Sequence, residues 1–240
     1  MWNVDNNRTT DITKKIEKIT DIKEIEDNSF IELVGVEDDQ DNPYWYYITF
    51  PLIDVDINKL KELNNDTVGW INVNNTNVNY PFVHTDNNDY YLNHSFDKGY
   101  NEAGWLFLDF RNDTNFSDRN NIIYAHSRLD KTMFGSLSKV FRSDWYNDKD
   151  NHIIRLSLEN ENTLWQIFSV YKIKTETYYI TTNFNSDNEY MDFLDTIKNR
   201  SLYNFGVNLS KDDKILTLST CYSDTERTVV HARLIKRSNK

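Results

Sequence analysis

The one thiol in the sequence is Cys221, and its neighbours decide what it can do. By itself a lone cysteine is most often a small buried apolar side chain. A nucleophilic one needs a base or a cation nearby to raise its thiolate fraction. Cys221 ends the apolar run ILTLSTC, which reads as a buried strand delivering this residue to its C-terminal edge. After a short turn, Tyr222 to Glu226, the chain enters RTVVHARLI, a natural antiparallel partner. Alternation puts Arg227, Val229, His231 and Arg233 on one face, with Arg227 closest to where Cys221 ends the previous strand. A permanent positive charge beside a thiolate, and beside a developing oxyanion, is what acyl transfer requires. The general base is expected to be a histidine at the end of another apolar strand, and His126 after NNIIYA fits that description.

Other chemistries find less support. The histidines are His84, His94, His126, His152 and His231, and none falls in an HExxH pattern or joins a CxxC pair, so zinc chemistry is not expected. Neither a Gly-rich phosphate loop nor a GxSxG elbow occurs. No metal and no organic cofactor is implied.

The elements that must position these residues follow from hydrophobic periodicity. In TDITKKIEKITDIKEIE, residues 10–26, the isoleucines Ile12, Ile16, Ile19, Ile22 and Ile25 recur at spacings of three and four, which predicts one helix with an apolar stripe. A second helix fits VDINKLKELNN at 55–65, and the acidic stretch Glu37 to Asp41 reads as a loop. Residues 1–65 are therefore expected to be a helical N-terminal region packed on a barrel domain of residues 66–240. From Val68 the pattern changes to short runs rich in β-branched and aromatic residues: VGWINV, NVNYPFV, GWLFLDF, NNIIYAH, HIIRLSL, TLWQIFSVYKIK, KILTLST and RTVVHARLI. Eight short strands point to a mainly β domain, a barrel or sandwich. Helical inserts are expected at about 131–141 and about 187–200, the second with Tyr190, Phe193, Leu194 and Ile197 on one face.

Composition agrees with a folded domain and narrows its partners. The 240 residues include 15 Tyr, 13 Phe and 6 Trp, enough aromatic surface to build a core. A net charge of −11 and the lack of Lys and Arg clusters argue against nucleic acid. No run of about 18 apolar residues exists to span a bilayer, and MWNVDNNRTTDITKK has no apolar signal-peptide segment.

Several motifs in one order resemble the sortases, and among them class B. TLSTC at 217–221 looks like the TLxTC signature, and Arg227 to Ala232 resembles the R-x-V-V-x-A strand that carries the family's arginine. NNIIYAHSR with MFGSL at 133–137 resembles the class B histidine segment, although Ala125 replaces the glycine usual before that histidine. GWLFLDFRND at 104–113 and VGWINVNNTNVNYPFVHTDNNDYYLNHSF at 68–96 also match the class B pattern, and the match spans about residues 55–236. The resemblance implies the eight-stranded sortase β-barrel with N-terminal helices, and a helical insert between the sixth and seventh barrel strands.

Carried over residue by residue, the resemblance makes Cys221 the nucleophile, His126 the acid/base and Arg227 the oxyanion and substrate-positioning group. Ser219 and Thr220 are expected to help shape the substrate pocket. The five residues between Cys221 and Arg227 make a shorter loop than many class B members have, which leaves Arg233 as the fallback. The implied reaction cleaves a C-terminal sorting signal, of Asn-Pro-x-Thr rather than Leu-Pro-x-Thr type, after its Thr through a thioacyl intermediate. An amine of a peptidoglycan precursor or cross-bridge then releases the product. Two alternatives stay open: a pilin-polymerising sortase with a Lys acceptor, and a non-catalytic surface-binding domain. The expected address is the extracellular face of a Gram-positive cell membrane, held by an N-terminal anchor not present in this chain.

Overall fold

A computed structural model describes residues 2–26, 30–174, 176–221 and 226–240, with residues 2–6 and 221 described by main chain only. The turn expected after Cys221 covers 222–225 and lies outside the described residues. In chain order the elements are α1 (Trp2–Ile19), β1 (Lys23–Ile25), β2 (Ile31–Leu33), α2 (Tyr44–Tyr47), β3 (Leu52–Asp54), α3 (Ile57–Lys61), β4 (Thr67–Val73) and β5 (Asn79–Val83). There follow β6 (Phe107–Leu108), β7 (Asn120–His126), α4 (Ser143–Asn147), β8 (Ile153–Leu158), β9 (Glu161–Lys174), α5 (Asp187–Asn199), β10 (Ile215–Cys221) and β11 (Glu226–Asn239). Short 3-10 turns cover Tyr90–Leu92, Gly135–Phe141, Lys149–His152 and Tyr178–Ile180.

One sheet runs in the order β10-β7-β6-β5-β4-β8-β9-β11-β2, and an additional pairing joins its first strand, β10, to β11. The eight strands β4 to β11 therefore close into a barrel, with β2 attached outside the ring to β11 at Lys236–Ser238. Closure removes the unpaired edges an open sheet would expose. The β5–β6 and β7–β10 pairs are parallel, and the other neighbours are antiparallel. Each of the eight apolar runs read from the sequence contains a barrel strand, although GWLFLDF supplies only Phe107–Leu108. The interior is packed with large side chains such as Phe82, Phe116, Trp105, Trp165 and Phe168, all nearly inaccessible to water. Each contributes roughly 1.5–3 kcal/mol by burial.

The N-terminal third differs in detail from its periodicity. The helix α1 stops at Ile19 instead of running to residue 26, and Ile25 belongs to β1, which pairs with β3. The hydroxyl and amide of Thr20 both bond back to the Ile16 carbonyl, closing the last turn there. Ile12 and Ile16 alone of the stripe are fully buried, and Ile22 is exposed. The helix is tied to the barrel by Arg8, whose guanidinium is held by both carboxylate oxygens of Asp97, and by Thr9, which accepts from Asn101 Nδ2 at 3.0 Å. Among the described residues, the first 65 positions also supply three short strands, one of which extends the main sheet. A helix is reached at α5 because Ser186 caps it, its hydroxyl accepting from Glu189 N at 3.1 Å, and because Tyr190, Phe193, Leu194 and Ile197 bury one face.

Candidate active site

Two parallel strands define the site. β7 and β10 pair along seven consecutive rungs, from Asn120↔Ile215 to His126↔Cys221. Neighbouring strands lie about 4.8 Å apart, so the register places the main chains of His126 and Cys221 side by side at the last rung. On its other edge β10 pairs antiparallel with β11, from Ile215↔Arg233 to Ser219↔Val229. The same count carried two rungs further sets Thr220 opposite Thr228 and Cys221 opposite Arg227. Thr228 N donates to Thr220 Oγ1 at 2.9 Å, so this pair is fastened through a side chain. Arg227 itself is paired with Ile173 of β9. Three strand ends thus bring the three residues expected to do chemistry to one end of the barrel.

The imidazole of His126 is half-buried and aimed by a backbone group. Its Nε2 lies 2.7 Å from the carbonyl oxygen of Leu92, at the end of the 3-10 turn Tyr90–Leu92. Carbonyl oxygens only accept, so Nε2 carries a proton here and the proton-exchanging nitrogen of a neutral ring is Nδ1. Gly104 makes this approach possible. It sits at φ +60°, and a Cβ there would stand 2.5 Å from Tyr91 O, 2.8 Å from Leu92 O and 3.0 Å from His126 Cδ2. The main chain of His126 is held as well, its oxygen accepting from Phe134 N at 3.1 Å within the MFGSL segment.

Beside this end lies a cleft of about 160 Å³, with Ser127, Leu129, Gly135, Lys172, Arg227 and Thr228 in its wall. Leu129 is 78% exposed, an apolar side chain facing water next to the residues above.

Ser219 and Thr220 are each 1% exposed, and their hydroxyls serve the barrel itself. Ser219 Oγ is 2.9 Å from Tyr179 Oη, and Thr220 holds Thr228 as described. Arg233 is nowhere near Cys221. It faces Ile215 at the far end of β10, buried at 2% exposure, with Nη2 2.9 Å from Glu37 and Nη1 donating to Asn208 O at 2.6 Å. His231 shares the parity of Arg227 but is sealed between Thr217 and Tyr171, and burial lowers its pKa to about 3. His152 is packed among Tyr47, Tyr146 and Phe205, with its pKa lowered to about 4 by burial. His94 stacks on Tyr90 with ring centroids 4.0 Å apart.

One feature of the site region went unread in the sequence. Asp109, inside GWLFLDF, is fully buried immediately after β6, the strand next to β7, and accepts from Tyr124 Oη, Arg111 Nε and Arg111 Nη2 at 2.7–2.9 Å. Burial pushes its pKa up, but these donors together bring it below the usual carboxylate value. Arg111 also donates to Ile180 O at 2.9 Å, anchoring the turn that follows β9. A carboxylate within an apolar run, two residues before an arginine, was the available signal.

Comparison with known proteins agrees with this arrangement. Residues 71–235 match the family model described as Sortase domain. Sortase B of Staphylococcus aureus is 39% identical over 183 residues, covering 75% of this chain and 74% of that protein. A Bacillus anthracis structure described as similar to sortase B superposes with TM-score 0.76 at 32% identity, covering 98% of each chain. A solved Staphylococcus aureus sortase B–substrate complex gives TM-score 0.71 at 37% identity, covering 75% of this chain and 84% of the other. With fold, motif order and sequence in agreement, the chain belongs to the sortase family, in its class B branch, and is thereby a cysteine transpeptidase.

Proposed function

We propose that this chain cleaves a C-terminal sorting signal after its Thr and transfers the Thr acyl group to an amine of the cell wall. The observation that carries this reading is the final β7–β10 rung, His126↔Cys221; the β10–β11 register, continued two residues past Ser219↔Val229, brings Arg227 to the same end. The Cys221 thiol attacks the Thr carbonyl carbon, and its proton passes to His126 Nδ1, since Nε2 is taken by Leu92 O. The oxyanion of the tetrahedral intermediate is met by the Arg227 guanidinium. Collapse breaks the C–N bond, the leaving amine takes the proton from His126, and a thioester remains on Cys221. An acceptor amine then attacks the thioester, giving up its proton to His126, and the thiol is restored.

The substrate-bound sortase B structure named above supports a peptide substrate for this chain. A sortase B complexed with triglycine, 38% identical to this chain, supports a short wall peptide with a free amine as acceptor. The class B character favours an Asn-Pro-x-Thr signal. The place where exported proteins meet wall precursors, the extracellular face of a Gram-positive membrane, is the address this chemistry requires.

The test is a panel of quenched fluorescent peptides, Asn-Pro-x-Thr and Leu-Pro-x-Thr types, incubated with the protein and with Cys221→Ala, His126→Ala and Arg227→Ala. Intact mass reports acylation of Cys221. Cleavage of the Asn-Pro-x-Thr peptide, lost in all three variants, is expected. No cleavage and no adduct with any peptide would overturn the reading, and transfer to lysine in preference to glycine-type amines would point to pilin polymerisation.

A further inference from the structure

A buried polar chain runs across four neighbouring barrel strands, several rungs below the site. Asn120 Nδ2 faces the carbonyl oxygens of Tyr179 at 3.2 Å and Thr181 at 2.9 Å. Both can only accept, so the orientation of the Asn120 amide is fixed and its Oδ1 faces Thr217 Oγ1 at 2.6 Å. Oδ1 is also only an acceptor, so the single hydroxyl proton of Thr217 is committed to it. Thr217 Oγ1 is 2.8 Å from His231 Nδ1, and that contact therefore requires the proton on Nδ1. In the neutral ring Nε2 is then the acceptor, and it takes the hydroxyl of Tyr171 at 2.8 Å. Every shared proton in the chain Tyr171–His231–Thr217–Asn120 is assigned, and one direction alone satisfies all the contacts. All four residues are buried.

Its placement is what gives the chain a role. Asn120 lies on β7, the strand that ends at His126; Thr217 on β10, which ends at Cys221; His231 on β11, which begins beside Arg227. Thr217 and His231 are register partners. Each is four residues, about 13 Å, from its strand's reactive position, and Asn120 is six residues, about 20 Å, from His126. The same parity holds in every case. Asn120 further grips two carbonyls of the turn whose Tyr179 hydroxyl meets Ser219, two residues before Cys221.

We propose that Asn120, Thr217, His231 and Tyr171 are positioning residues for acyl transfer, a one-way hydrogen-bonded brace that fixes the mutual placement of the strands bearing His126, Cys221 and Arg227. This rests on the roles proposed above for those three residues. Main-chain bonds and cross-strand side-chain pairs resist shear between strands, and small displacements between nucleophile and base are costly to rate. The brace adds a side-chain lock between all three strands, with Asn120 two rungs further from the reactive end than Thr217 and His231.

Thr217→Val keeps the shape and removes both hydrogen-bonding roles; Thr217→Ser keeps them. With circular dichroism and cooperative unfolding confirming the fold, kcat for peptide cleavage is expected to fall about 10- to 100-fold in Thr217→Val, with KM within about twofold. Thr217→Ser is expected to recover most of the loss. Alkylation of Cys221 by iodoacetamide, which needs no substrate, is expected to slow in Thr217→Val and recover in Thr217→Ser. A folded, less stable Thr217→Val with wild-type kcat and alkylation rate overturns the proposal and leaves the network a stabilising feature only. If Thr217→Val does not fold, Tyr171→Phe, which removes one hydroxyl, decides by the same measurements. Absence of any acyl adduct in the wild-type protein would count against the transpeptidation reading, while the alkylation comparison would still decide the brace.

Discussion

His126 Nε2 stands 2.7 Å from the main-chain oxygen of Leu92, and this contact sets which ring nitrogen is free. A hydrogen bond to a backbone carbonyl holds the tautomer without adding a charge to the site. It also ties the strand β7 to the turn 90–92, which is itself held by Trp105 N donating to Tyr91 O at 2.9 Å. The orientation of the proposed acid/base thus depends on a turn far away in sequence.

Gly104→Ala tests that dependence. The new Cβ would meet Tyr91 O at 2.5 Å and Leu92 O at 2.8 Å, on a residue at φ +60°. A loss of about 1–3 kcal/mol in stability is expected from strain. Displacement of Leu92 O is expected to lower kcat at least about tenfold as the ring loses its orientation. A lower melting temperature with unchanged kcat would show that the Leu92 contact does not matter to the chemistry.

Arg227 and Arg233 should part company on mutation. Arg233→Met leaves Glu37, 12% exposed at its side chain, without its guanidinium partner, and breaking a buried pair costs about 3–5 kcal/mol. Activity per folded molecule is expected to hold. Arg227→Ala is expected to leave stability within about 0.5 kcal/mol and to lower kcat about 10²- to 10³-fold. Denaturant titrations and initial rates on both variants give the answer, and the reverse pattern would move the oxyanion role to Arg233.

What was legible in the sequence was period and order. The runs NNIIYAH and ILTLSTC show apolar strands ending in reactive residues, and both strands and their shared end follow. Period carries no depth, however. Alternation groups His231 with Arg227, yet His231 lies inside the barrel because Tyr171 and Thr217 satisfy both its nitrogens. Nor does it carry tertiary choice: Ile22 and Ile25 continue the helical stripe of α1, but pairing with β3 draws Lys23–Ile25 into a strand. The Leu92–His126 contact joins residues 34 apart through a main-chain oxygen, and no side-chain pattern encodes that.

Buried histidines predict acid lability. Burial holds His231 at about 3 and His152 at about 4, against about 6.5 for the unfolded chain. As pH falls below about 6.5 the unfolded state takes up protons that the folded state refuses, so stability falls with pH. Between about pH 6 and 4 these two groups give a slope of up to about 2.7 kcal/mol per pH unit. Replacing His152 with Gln, which keeps polar contact with Tyr47 and Tyr146, is expected to reduce the slope by about 1.4 kcal/mol per unit. Urea unfolding at a series of pH values measures it, and an unchanged slope would mean that His152 is not buried neutral.

The fastening of β10 to β11 just before Cys221 makes a last prediction. Thr220 Oγ1 accepts from Thr228 N at 2.9 Å, one rung beyond the last pairing of the two strands, Ser219↔Val229. Thr220→Val keeps the volume but leaves that amide without its acceptor, at a cost of about 1–3 kcal/mol. Thr220→Ser retains the acceptor and is expected to cost less. Amide hydrogen exchange at Thr228 is the direct readout: it should accelerate in Thr220→Val and stay near wild type in Thr220→Ser. Because Thr220 is 1% exposed, the accompanying change in catalysis should appear in kcat, through the placement of Cys221 and Arg227, rather than in peptide KM. A rise in KM alone, with Thr228 still protected, would instead make Thr220 a substrate contact.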